Sequence, residues 1–158
     1  MDDQKSLTPA EIRGRAIRYR DELAKKGIAL RLVIVDYIQL VDGCKELGGK
    51  TTREEGTDYT AKKLVELAKE LNVTVLALAQ LNDEGRIRNS RAVEHAADTW
   101  LDIERQDPEK DKYASVNPRN GAQSATIVVR KQRNGPDDQD APCWWYGGFL
   151  LFADSEDL

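Results

Sequence analysis

An α/β fold built on a parallel sheet is what this sequence predicts, from three observations. Two short apolar runs rich in β-branched residues, Leu32-Val33-Ile34-Val35 and Val73-Thr74-Val75-Leu76-Ala77-Leu78-Ala79, have the composition of strands buried on both faces. A helix-length segment with apolar residues at helical spacing precedes each run. A polar residue, Asp36 or Gln80, stands at the end of each. Strands joined by helix-length connections pair in parallel rather than as hairpins, and in such sheets ligands bind beyond the carboxyl ends of the strands.

The elements follow in order. Thr8-Pro9-Ala10-Glu11 reads as a helix start, with Thr8 as cap, Pro9 at the first helical position and Glu11 completing a capping box. Ile12, Ala16, Tyr19 and Leu23 recur on one face of that helix among charged residues, and Gly27 ends the pattern. The first strand ends at Asp36. A polar, glycine-containing loop from about Asp42 to Gly56 leads to a helix expected to begin near Asp58, with Ala61, Leu64, Ala68 and Leu71 on one face and Asn72 closing it. The second strand follows and ends at Gln80.

Downstream, a basic short-helix segment runs from Arg86 to Ala97, then a strand-like Trp100-Leu101-Asp102-Ile103 and a charged loop over residues 104–121. Ala125-Thr126-Ile127-Val128-Val129 is a further strand, running through Arg130-Lys131-Gln132-Arg133 into an Asn134-Gly135-Pro136 turn. Trp144 to Phe152 reads as an antiparallel hairpin turning at Gly147-Gly148.

Composition bounds the class. With 158 residues, 40% hydrophobic, 33% charged and a formal charge of -4, the chain fits one globular domain or part of one, spanning 1–158. A domain of about 150 residues buries roughly 70% of its unfolded surface, so no metal or disulfide staple is needed. Cys44 and Cys143 match no metal-ligand spacing and read as reduced thiols of a cytoplasmic protein. No apolar run has the length of a signal peptide core or a membrane span. The sequence pI of about 5.2 disfavours a chain that coats nucleic acid over its whole surface, while leaving room for a local basic strip.

Several constellations could carry chemistry. Asp36, after four apolar residues, is placed as nucleotide-hydrolysing sheets place a carboxylate for a magnesium ion or its water shell; taken alone, the same pattern also serves a helix or turn cap. Gln80 suits sensing of a terminal phosphate or orienting of water, and equally a satisfied loop amide. Gly49-Lys50-Thr51 imitates a P-loop but fails its spacing: from Gly43 five residues intervene where the motif needs four. Lys131 and Arg133 alternate on a strand end, so they share a face, with Arg130 and Gln132 on the other. They are either a solvated edge or a pair of cations placed for phosphate. Arg86, Arg88 and Arg91 around Asn89-Ser90 are rich in donors for a nucleic-acid backbone, although a charge run is more often simply solvated. His95 reads as structural.

Four blocks in order and spacing resemble the DnaB-type replicative DNA helicase family, in the C-terminal part of its RecA-like ATPase domain. They are Leu32 to Leu40 (LVIVDYIQL), Leu67 to Val73 (LAKELNV), Ala77 to Asn82 (ALAQLN) and Lys131 to Pro136 (KQRNGP). The resemblance implies a RecA-like parallel sheet flanked by helices, truncated at its N-terminus, with a C-terminal antiparallel hairpin. It implies that Asp36 is the Walker B carboxylate near Mg2+, that Gln80 couples nucleotide state to the DNA loop, and that Lys131 and Arg133 reach a neighbouring subunit's ATP, Arg133 as arginine finger. The stretch Arg88 to Asp98 resembles the family's central-channel DNA loop and the helix after it, which makes Arg88, Asn89, Ser90 and Arg91, with Arg86 just before them, the implied contacts to single-stranded DNA; Asn89 stands where Glu is usual, Arg91 where Gly is usual, and the connection from Gln80 is shorter than usual. The family's P-loop and catalytic glutamate would precede Met1, which leaves strand edges to be covered and implies that the isolated chain lacks ATPase activity. The implied parent is a cytoplasmic ring, a hexamer, that unwinds duplex DNA. Two alternatives are a shortened relative that regulates helicase rings by offering Lys131 and Arg133 in trans, and a RecA or circadian-clock-type ATPase fragment, which the KQRNGP block disfavours.

Overall fold

The computed structural model describes residues 6–48, 50–82, 91–106, 116–117, 120–136 and 139–154. The chain separates into two compact units, Met1–Ala97 and Asp98–Leu158, where the sequence suggests one partial domain.

In the first unit, α1 spans Pro9–Ala24 and is started by the expected capping box: the Glu11 amide donates to Thr8 Oγ1 at 3.3 Å and the Thr8 amide to Glu11 Oε2 at 2.8 Å. Such a cap is worth about 1 kcal/mol. Strand β1 is Leu32–Val35, followed by a single 3-10 turn at Ile38–Leu40, and α2 is a short helix at Cys44–Leu47. Helix α3 spans Arg53–Leu71, and β2 is Thr74–Ala77. The helix thus begins earlier than its apolar face suggests, because Thr52 and Glu55 form a second capping box. Asn72 ends it in the left-handed conformation at φ 51°, which asparagine tolerates better than most residues.

Strands β1 and β2 pair in parallel, with Leu32 opposite Thr74 and Val35 opposite Ala77. Ala16 of α1, Val35 of β1, Ile38, four residues of α3 (Ala61, Leu64, Leu67 and Leu71) and Val73 form one buried cluster, with Val33, Val75 and Ala77 packed against it. The alternate residues Leu32, Ile34, Leu76 and Leu78 are 46%, 58%, 44% and 42% exposed. This corrects the expectation of strands buried on both faces. Continuous apolar composition marks a strand suited to two-sided cover, and among the described residues only the side facing α1 and α3 receives it.

Glu46 of α2 ties the start of α1 to α3. One carboxylate oxygen accepts from the Ala10 amide at 2.7 Å and the other from the Tyr59 hydroxyl at 3.1 Å. Gly43 and Gly56 permit this close approach: a Cβ on Gly43 would sit 2.0 Å from the Gly56 carbonyl oxygen, and one on Gly56 would sit 2.4 Å from Cys44 Sγ.

After α4 (Arg91–Ala96), the second unit is an antiparallel sheet of order β3-β4-β5-β6, formed by Thr99–Arg105, Gln123–Gln132, Gln139–Tyr146 and Leu151–Ala153. The expected hairpin is therefore the outer half of a four-stranded sheet. Tyr146, Ala122, Ala125 and Val128 are its buried residues. Trp145 packs on Phe152 with ring centroids 4.6 Å apart, and the Arg105 guanidinium lies 5.5 Å from the Trp145 ring, within cation–π range.

Partial burial works to raise the pKa of Glu46, but hydrogen bonds from Ala10 and Tyr59 outweigh it and hold the carboxyl below its ordinary value. A depressed pKa contributes stability that is present above the unfolded value and lost as pH falls through the folded one. Glu46→Gln should therefore lower unfolding free energy by about 1 kcal/mol near pH 7, and the gap to wild type should be smaller at a pH below the ordinary carboxylate range. Urea unfolding at the two pH values checks both parts.

Candidate functional site

Asp36 and Gln80 sit at the carboxyl ends of adjacent parallel strands. The ladder continues past β1 and β2, the Leu78 amide donating to Val35 O at 2.9 Å and the Ile38 amide to Leu78 O at 2.9 Å. Asp36, Tyr37, Leu78, Ala79 and Gln80 line an open depression of about 240 Å³, with the Asp36 and Gln80 side chains exposed at its mouth. This is the position at which open α/β sheets bind ligands.

Gln39 holds this end together, a role its place in the sequence block does not reveal. Its amide Nε2 donates to the Gln80 carbonyl at 3.0 Å, and its Oε1 accepts from the Gln80 backbone N–H at 3.3 Å. One carboxamide thus satisfies both main-chain groups of Gln80 across a gap where the strands no longer pair. The Gln80 side chain is positioned by its backbone rather than by its own bonds. Only the 3-10 turn at Ile38–Leu40 brings Gln39 across.

Lys131 and Arg133 lie at the far end of β4, where the register shifts. Val129 is opposite Leu101 and Lys131 opposite Trp100, so Arg130 is the extra residue of a β-bulge. Arg130 Nε donates to Asp102 Oδ2 at 2.9 Å, and its Nη2 pairs with Glu104. Trp100 Nε1 donates to Asp102 Oδ1 at 2.7 Å, so Trp100, Asp102 and Arg130 share one face. Strict alternation assigns Arg130 to the face away from Lys131; the bulge instead puts both beside the Trp100–Asp102 side of β3. Arg133 is exposed, its guanidinium paired with Asp98 and its amide donating to the Asp98 carbonyl at 2.9 Å.

Arg86, Arg88, Asn89 and Ser90 lie outside the described residues, and Arg91 is the first residue of α4. Lys50 and Thr51 lie within three residues of the start of α3, so distance from a helix start does not argue against a phosphate there. Chemistry does: the Glu55 carboxylate already occupies the α3 start, accepting from the Thr52 amide at 2.7 Å, and it would repel an anion. Gly43, the glycine that imitates the motif, serves the contact of α2 with α3.

The donor set of the depression decides how far it fits magnesium and nucleotide. Mg2+ keeps several waters and takes one or two protein carboxylates beside phosphate oxygens, so the single Asp36 carboxylate fits an anchor for that water shell. Among the described residues no group of three or more His, Cys, Asp or Glu side chains is placed to hold a metal ion. No cation is among the five residues lining the depression, so they do not by themselves make a cradle for phosphate.

Helices packed on a parallel sheet, with polar side chains at adjacent strand ends, have the layout of part of a RecA-like fold. A family model described as the DnaB-like helicase C terminal domain matches residues 1–154, and the chain belongs to that family. It is similar to replicative DNA helicase DnaB of Leifsonia xyli subsp. xyli (strain CTCB07), 35% identical across 98% of this chain and 33% of the relative. It is also similar to that of Mycobacterium intracellulare, 36% identical across 86% of this chain and 23% of the relative. The chain thus spans a third or less of the length of these relatives. Its fold is similar to that of a DnaB-like replicative helicase solved with regard to its interactions with primase, with a TM-score of 0.76 and 21% identity over 96% of this chain and 37% of the other. A second solved structure, itself an ATPase domain, gives a TM-score of 0.75 at 21% identity, over 96% of this chain and 52% of the other.

Gln39→Leu removes both bonds to the Gln80 main chain at similar volume. Amide exchange at Gln80 should quicken about tenfold, the equivalent of about 1.4 kcal/mol of lost protection, with the α3 core amides unchanged. Hydrogen-exchange NMR reads both.

Proposed function

We propose that this chain is one part of the ATPase motor of a ring-shaped replicative DNA helicase, hexameric and cytoplasmic, that couples ATP hydrolysis to unwinding of duplex DNA. The observation that carries this reading is the side-by-side placement of Asp36 and Gln80 at the strand ends of a chain of the DnaB-like family. Asp36 anchors the water shell of Mg2+ by its exposed carboxylate. Gln80, its backbone held by Gln39, turns its side chain toward the terminal phosphate and relays its presence to the segment that follows. Arg86, Arg88, Asn89, Ser90 and Arg91 in that segment contact the backbone of single-stranded DNA, through donors rather than base readout. Lys131 and Arg133 reach the ATP of a neighbouring subunit, where the planar guanidinium of Arg133 neutralises charge that grows in the transition state. No stretch of this sequence has P-loop spacing, so the chain by itself holds neither the phosphates nor the full metal shell.

Isothermal titration of the isolated chain with Mg-ATP is expected to give no heat of binding. A micromolar dissociation constant would reveal a complete phosphate site.

The remaining tests use a complete ring carrying this segment, such as one in which residues 1–154 replace the matching region of the Leifsonia relative. Asp36→Asn should abolish steady-state ATP turnover while leaving the melting temperature within a few degrees; activity within about threefold of wild type would reduce Asp36 to a cap. Arg133→Ala should lower turnover by on the order of 10³- to 10⁵-fold, since an arginine finger supplies that much and a surface arginine almost nothing. Mixing Arg133→Ala subunits with subunits lacking the P-loop lysine should restore hydrolysis that neither ring shows alone. Mixed rings that stay inactive, in a protein where one intact site suffices for turnover, would count against action in trans.

A further inference from the structure

Arg133 is tied to one residue in two different ways. Its main-chain N–H donates to the Asp98 carbonyl at 2.9 Å, which fixes the backbone where β4 enters its turn. Its guanidinium Nη1 pairs with Asp98 Oδ1, while the two side chains remain 56% and 66% exposed respectively. The first bond sets where the arginine starts; the second occupies its charge. Asp98 is also the residue at which the chain passes from α4 into β3: α4 ends at Ala96, and the Ala97 amide closes its last turn on Val93 O at 3.1 Å.

We propose that Asp98 is a positioning residue that keeps the Arg133 guanidinium on its own subunit until a phosphate of the neighbouring subunit offers a stronger acceptor. The inference rests on the reading of Arg133 as a trans-acting cation. An exposed ion pair is worth at most about 1 kcal/mol, roughly a fivefold preference, so the pair is weak enough to be exchanged. A phosphate group carries more charge than a carboxylate and accepts the same bidentate fork, which sets the direction of exchange. Asp98 is joined by a single residue, Ala97, to α4, the helix that follows the proposed DNA-contact segment. DNA contact and release of the trans-acting cation thereby share one covalent connection.

The discriminating variant is Asp98→Asn, which removes the competing charge, keeps the volume and leaves the main-chain bond to Arg133 in place. In the complete ring, the kcat/KM for ATP without DNA should rise about two- to fivefold, the most that an exposed pair can withhold. The ratio of DNA-stimulated to basal turnover should fall correspondingly. Asp98→Glu, which can pair again, should return both toward wild type. In the double variant Asp98→Asn, Arg133→Ala the Asp98 effect should vanish. A merely structural Asp98 would give a lower melting temperature and a lower kcat/KM. If Arg133→Ala abolishes turnover but Asp98→Asn leaves kcat/KM unchanged or reduced, this proposal fails and the arginine-finger reading stands. If Arg133→Ala is near normal, the finger reading fails and takes the proposal with it. Independently of turnover, the Arg133 Nε–Hε resonance of this chain should shift on Asp98→Asn; a spectrum identical to wild type would overturn the pairing itself.

Discussion

Because Val35 lies opposite Ala77 in a parallel ladder that runs on through the Val35 carbonyl to Leu78, Asp36 and Gln80 arrive at the same end of the sheet on adjacent strands. Side chains alternate along a strand, so a slip of one residue would exchange the buried Val35 for the exposed Ile34 and turn the site around with it. The buried cluster of α1, α3, Val35 and Ile38 holds that register. Gln39 then extends the pairing one step beyond the backbone ladder, replacing strand hydrogen bonds with a side-chain amide. Helix caps at Thr8 and Thr52, the Glu46 bridge and the glycine contact of α2 with α3 all serve to keep these helices on the one covered face.

The other face explains why such a small sheet is so apolar. Parallel strands are ordinarily covered on both sides, and Leu32, Ile34, Leu76 and Leu78 form an exposed apolar row beside the single polar Thr74, which stands opposite Leu32. Each of the two strands also has one edge outside the β1-β2 pair. Open edges and bare apolar faces invite association unless they are covered. The chain spans a third or less of its relatives, and this unit has the surface chemistry of a layer meant to be covered on its second side.

The second unit handles the opposite problem, that of keeping an exposed cation, Arg133, ordered. The bulge at Arg130 supplies a residue free to bend back onto Asp102 and Glu104, and so leaves the strand end beyond it to present Lys131 and Arg133. Arg130 is thereby the structural cation of the KQRN approach, paired from two sides, and its pKa is raised, first by the hydrogen bond to Asp102. Arg133 pairs with Asp98, which is more exposed than either partner of Arg130, and this suits a side chain that must change partners.

Local chemistry alone settles much of this protein. Strand β1 is legible to the residue because a β-branched run bounded by Arg31 and Asp36 has no competing period, and the α1 start is legible because a capping box is a contiguous signal. Asp36 and Gln80 stand out as candidates because strand ends are visible in a sequence. The start of α3 is harder to place because its first turn is capped by polar residues that carry no apolar period. Gln39 gives no such sign, since its partners are 41 residues away and a role made of main-chain bonds leaves no mark on residue type. The bulge that moves Arg130, and the choice of Asp98 as the partner of Arg133 across 35 residues, are decided only when β3 and β4 pair. Sequence determines which groups can form a bond, whereas register and turn geometry, set by the packed whole, determine which of them meet.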